Sequence, residues 1–131
     1  MNWYNKAIQA IMKGQADLST GVYEMLFLSN DYTPDLSDTG HGTETDLGAN
    51  ILHRQVVTIN LVNRTLDLEP FQLEDPGGGG VAGHVVLIRQ GGSGASSNLL
   101  IGHEDIQDLT FDGAADQIND QAAGLLRIGD A

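Results

Sequence analysis

The 131-residue sequence predicts a mainly β fold, a β-sandwich or small barrel with a short N-terminal α-helix. Three observations lead there. Apolar residues recur at helical spacing only near the N-terminus. Beyond it the chain carries short runs rich in β-formers, some with a period of two. Gly, Asp, Asn and Ser clusters separate those runs, and no shift in composition marks a second domain, so residues 1–131 read as a single unit.

Residues 2–13 are expected as one helix. Trp3, Ala7 and Ile11, with Tyr4, Ile8 and Met12, make an apolar stripe; Asn2 is the candidate N-cap and Gly14 the stop. A helix confined to residues 1–14 is too short to be stable alone, so it must dock on the β domain expected over residues 22–128. Asp17-Leu18-Ser19-Thr20-Gly21 is turn chemistry. Residues 22–29 (VYEMLFLS) are continuously apolar, as in a strand buried on both faces. Residues 30–50 are rich in Asp, Gly, Thr and Ser and read as a long surface loop.

From His53 the period becomes two. Val57, Ile59 and Leu61 are expected to face one way, with a turn at Val62-Asn63-Arg64-Thr65 and a return strand through Leu66 and Leu68. Pro70 and Pro76 end that segment, and residues 77–80 are a run of four glycines read as flexible. Residues 83–90 (GHVVLIRQ) form the clearest strand, 91–97 a Gly/Ser loop, and 98–106 (NLLIGHEDI) the partner strand. Residues 112–121 read as an acidic loop with at most one helical turn, and 122–128 as a short closing strand.

Composition excludes several functions. There is no cysteine, hence no disulfide, thiol nucleophile or thiolate metal site. No apolar run is long enough to span a membrane, and the N-terminus lacks the apolar core and cleavage site of a signal peptide. Eighteen acidic residues oppose six basic ones, giving a formal charge of -12. The cations Lys6, Lys13, Arg54, Arg64, Arg89 and Arg127 are dispersed, whereas nucleic-acid binding needs them clustered. Acidity of this kind suits a basic partner, a surface kept soluble at high concentration, or an ordinary acidic exterior.

Motifs for chemistry are weak. Gly78, Gly80 and Gly83 have dinucleotide-loop spacing, but that motif follows a strand and opens a helix, and here a strand is expected to follow. Residues 35–46 (DLSDTGHGTETD) have partial calcium-loop spacing, with Asp35, Ser37, Thr39, Gly40 and Asp46 in place but no terminal Glu or flanking helices. His84 and His103 fall on strands that can be neighbours, which permits a Zn²⁺ pair, although strand histidines that only hydrogen-bond are commoner. Ser93 lies in Gly92-Ser93-Gly94, but a nucleophile elbow needs glycine where Ala95 stands. No catalytic, cofactor-binding or metal-binding residue is assigned, and the chain is read as a non-enzyme.

The order of Tyr4-Asn5-Lys6, Asp17-Leu18, the strand Val22 to Leu28 and Tyr32-Thr33-Pro34-Asp35 resembles a group of small virion proteins of tailed bacteriophages. The later Val85 to Ile88 strand, the loop 91–97 and Leu99 to Ile101 fit the same pattern; residues 77–80 and 112–121 depart from it. The resemblance implies a non-enzymatic structural protein assembled in the host cytoplasm. It would be a capsid decoration (cement) protein or a minor neck or tail component, bound to the major capsid protein or other virion proteins. Neither nucleic acid nor membrane is an expected partner, and no cofactor is implied. A calcium-dependent binding module using Asp35 to Asp46 is the alternative of another class. Surplus apolar side chains in residues 22–28 and 85–88 suggest a homo-oligomer. The residues expected to contact a partner are Trp3, Tyr4, Tyr32, Pro34, Asp35, Gly92 and Ser93.

Overall fold

The computed structural model describes residues 1–62, 65–69, 71–113, 116–118 and 126–127 of the chain. Strand β1 (Asn2–Trp3) leads into helix α1 (Asn5–Met12), and β2 (Tyr23–Ser29) follows. A long connection ends in a 3-10 segment, Glu44–Asn50. Then come β3 (Ile51–Val57), β4 (Ile59–Val62), β5 (Thr65–Leu68) and β6 (Phe71–Leu73). The long strands β7 (Val81–Arg89) and β8 (Leu99–Thr110) precede the short β9 (Asp116–Ile118) and β10 (Leu126–Arg127). Five strands form one sheet in the order β1-β8-β7-β2-β3, antiparallel throughout. Two smaller sheets, β10-β5-β4 and β6-β9, accompany it. The protein is mainly β with a short N-terminal helix, as the sequence predicts, and the main sheet stays open rather than closing into a barrel.

The centre of the sheet explains the apolar runs. Residues 23–28 of β2 are all buried, so both faces of that strand are covered, as expected. Val86, Leu87 and Ile88 of β7 are fully buried beside them. Each such side chain contributes roughly 1.5–3 kcal/mol when removed from water. Phe27 packs edge-on against Phe111, and His53 of β3 lies against both rings.

The helix differs from expectation at its start. Asn2 pairs with His103 and Trp3 with Gly102 as an edge strand, so Asn2 does not cap the helix. Tertiary backbone bonds prevail there: Tyr4 N donates to Ile101 O at 3.0 Å and Asn5 N to Leu36 O at 2.9 Å. The buried face consequently runs through Tyr4 and Ala7 to Ile11, while Met12 is 82 % exposed. Gly14 ends the helix in the left-handed region, at φ +70°.

Other expectations need correction. The connection 30–50 is not solvated throughout, because Tyr32 and Leu47 belong to the core and Glu44 is buried. The run after His53 is two strands: β3 pairs with β2, and β4 pairs with β5 from Ile59↔Leu68 to Val62↔Thr65. Crossing between sheets at Thr58 turns Leu61 outward, so Val57, Ile59 and Leu61 do not share a buried face. Asn63, Arg64 and Pro70 lie outside the described residues. Phe71–Leu73 forms a strand where the prolines suggested an end, and it pairs with Asp116–Ile118, inside the expected acidic loop. Of residues 122–128, Leu126–Arg127 pairs with β5, and the remainder falls outside the described residues. In the glycine run, Gly79 N donates to Phe111 O and Gly80 O accepts from Phe111 N.

One charged network pins the 3-10 segment to the sheet. Arg54 of β3 donates to buried Glu44 at 2.7 Å and contacts buried Glu24 at 3.4 Å. Gln90 donates to Glu24, and Asn98 donates to Glu44. Asn98 also accepts from Gly91 N, tying the loop before β8 into the network. Removing Arg54 would leave two acidic side chains buried without their cation. Arg54→Met is therefore expected to cost about 2 kcal/mol. That is less than the ~3–5 kcal/mol of a fully buried pair, because Arg54 is half in water. Urea denaturation checks it.

Candidate functional site

The chemistry-bearing side chains gather on one face of the sheet, over β7 and β8. Registry puts them there. His84 of β7 lies directly opposite Asp105 of β8, and His103, two residues from Asp105, is on the same face in the row of Val86 and Leu26. A bulge sets this alignment, since residues 106–108 of β8 stand against Gly83 alone. The Asn30 side chain packs against Gly83 where a Cβ would otherwise sit.

The three groups converge. His84 Nδ1 lies 2.8 Å from Asp105 Oδ1 and 3.0 Å from His103 Nε2, and His103 Nε2 is 3.5 Å from the same carboxylate oxygen. The imidazoles are nearly covered, whereas the Asp105 side chain is 79 % exposed. Burial lowers the His103 imidazole below its ordinary value, against the opposing pull of Asp105.

Tyr32 roofs the pair. Its ring meets His84 edge-on at 5.6 Å and His103 at 6.0 Å between centroids. Its hydroxyl bonds the Tyr4 hydroxyl at 2.7 Å and His41 Nδ1 at 3.0 Å. The donor order can be deduced. Asp35 N–H also points at His41 Nδ1, so that nitrogen is the acceptor. Tyr32 then donates to His41, and Tyr4 donates to Tyr32. Burial raises both phenols, Tyr4 far above its ordinary value, so both keep their protons.

The loop below is organised by its own carboxylates. Asp35 Oδ1 accepts from Ser37 N and Oγ, and Asp46 Oδ2 accepts from Gly42 N at 2.7 Å and Thr43 N at 3.0 Å. Thr43 and Asp46 form a capping box on the 3-10 segment. Gly40 is required because a Cβ there would collide with the Asp35 carbonyl and carboxylate. Two of the three aspartates in the partial calcium-loop segment, Asp35 and Asp46, thus accept local turn hydrogen bonds.

The expected partner-contacting residues divide. Tyr4 and Tyr32 are buried within the domain and present no surface, which corrects that expectation; their polar ends serve the internal chain to His41. Trp3 is half-buried against the core, and Pro34 is half-buried. Asp35, Gly92 and Ser93 are exposed. The sequence reading left His84 and His103 open and did not include Asp105. The signal was the alternation in GHEDI, which puts His103 and Asp105 on one face. Comparison with protein-family models, curated proteins and solved structures finds no match for this chain.

Backbone hydrogen bonds to its carboxylate hold Asp46 below its ordinary value. Its contribution to stability is therefore complete above the unfolded carboxylate range and is lost as pH falls through the lowered folded value. Asp46→Ala is expected to cost about 1 kcal/mol at neutral pH, the usual worth of a cap. The difference from wild type should vanish in strong acid, as measured by denaturation across a pH series.

Proposed function

We propose that this chain is a non-enzymatic structural protein of a tailed-bacteriophage virion, acting as a decoration protein that docks on the outer face of the capsid shell. One observation carries the reading. The terminal strand β3 has no further strand beside it among the described residues, and it presents apolar side chains to water, with Val56 62 % and Leu52 37 % exposed. Val22, at 46 % exposure, adjoins Val56 in a shallow groove that also includes Leu18 and Ile59. An apolar sheet edge on a strongly charged chain is a place for another protein to bind.

The charge favours the shell exterior over nucleic acid. Two of the described cations are already engaged: Arg54 serves Glu24 and Glu44, and Arg89 donates to Thr20 O. With a formal charge of -12, a position facing packaged DNA would be repulsive. No helix among the described residues is long and apolar enough to cross a membrane. The resemblance of Tyr4-Asn5-Lys6 and Tyr32-Thr33-Pro34-Asp35 to small virion proteins supports the same reading. The partner is then the major capsid protein, and the protein acts in the virion after assembly in the host cytoplasm. A protein that binds the assembled shell and not its dissociated subunits stabilises the shell by mass action, summed over many copies.

The test is a particle reconstruction combined with an edge variant. Many copies on the capsid surface are expected, with β3 at the contact. Val56→Gln, a neutral change at the more exposed position, should melt within a few degrees of wild type yet fail to decorate particles. Copies confined to the tail axis would replace this reading with a neck or tail component. Absence from purified particles would overturn the virion assignment.

A further inference from the structure

His84, His103 and Asp105 bring two imidazole nitrogens and a carboxylate oxygen within 3.5 Å of one another, and we propose that they form a binding site for one divalent transition cation of the zinc class. Among the described residues this is the group of three His, Asp or Glu side chains whose ligand atoms converge.

Geometry comes first. Ligands about 2.1 Å from a tetrahedral Zn²⁺ lie about 3.4 Å from each other. The three separations here are 2.8, 3.0 and 3.5 Å, so a cation needs only a few tenths of an ångström of opening. Two nitrogens and one oxygen suit a borderline cation rather than calcium or magnesium, which prefer all-oxygen shells.

Proton accounting points the same way. His84 Nδ1, His103 Nε2 and Asp105 Oδ1 all aim at one small region. Each of those two ring nitrogens carries at most one proton, and the carboxylate only accepts. With one proton on His84 Nδ1, His103 Nε2 and Asp105 Oδ1 compete for it. With a proton on each nitrogen, two N–H groups confront each other at 3.0 Å. A cation replaces the contested proton and uses all three lone pairs.

The surroundings fit a bound ion. Strands β7 and β8 hold the ligands on a rigid paired backbone, and the Tyr32 ring fixes both imidazole planes. Exposed Asp105 provides the entry side. Three protein ligands leave a fourth position for water or a donor from another molecule. The proposal does not rest on the virion reading, and β2 separates these residues from the β3 edge in the sheet.

The test uses tag-free, metal-stripped full-length protein titrated with zinc chloride by calorimetry. One site per chain is expected, with a raised melting temperature. Asp105→Ala and His84→Ala should each weaken binding by about 100-fold, the upper end of what losing even a supporting residue costs. Asp105 is mostly in water, so its variant keeps the fold, and a circular-dichroism melt of the metal-free protein verifies this. Cobalt substituted for zinc should give the intense visible bands of a four-coordinate ion. No saturable binding, or affinity unchanged in both variants, overturns the proposal. So does a pale, octahedral cobalt spectrum, or displacement of zinc by equimolar magnesium, either of which would assign the ion to the acidic surface.

Discussion

A strand buried on both faces needs two covers, and in this protein that requirement falls on β2. Tyr23 through Leu28 have no solvent side, and β7 extends the same demand through Val86, Leu87 and Ile88. One face is met by Tyr4, just before α1, and Ala7 within it, together with Tyr32 and Leu47 of the long connection; Phe111 covers Phe27 on the other. The helix is only eight residues long and would not persist alone. It exists because the sheet needs a lid, and β1 anchors it by pairing with β8 before the helix begins.

This dependence explains which parts of the fold were legible in the sequence. The run VYEMLFLS announces its two-sided burial by lacking any polar alternation, and GHVVLIRQ and NLLIGHEDI pair much as their patterns suggest. The misreadings share a cause. Asn2 looks like a helix cap, but its backbone is claimed by His103 across the sheet. Tyr32 looks like an exposed interface residue because its neighbours are polar, whereas its ring is needed over the histidines. Phe71–Leu73 is too short for a periodic signal and becomes a strand through a partner over forty residues on. Tertiary pairing decides these segments, and local composition carries no record of it.

The candidate site was half legible. Alternation placed His103 and Asp105 on one face, and adjacent strands were expected to bring His84 near. What the sequence could not supply was register. Only the bulge at Gly83 puts His84 opposite Asp105, and a slip of one residue would send His84 to the other face. The capping box at Thr43 and Asp46 was legible as T-x-x-D but lay inside the apparent calcium loop, which offered a competing use for the same oxygens. In this structure one of those oxygens, Asp46 Oδ2, accepts from Gly42 N and Thr43 N.

The acidic composition and the buried polar groups are two sides of one arrangement. A chain with a formal charge of -12 has few cations to place, so each buried carboxylate needs an assigned partner. Arg54 serves two acids at once, with Gln90 and Asn98 supplying neutral donors to complete them. No described lysine or arginine is paired with Asp105, whose contacts in this site are the two histidines. At the β3 end the cation is built into the chain as Arg54. Over β8 the Asp105 carboxylate, mostly in water, meets two imidazoles instead of a built-in cation.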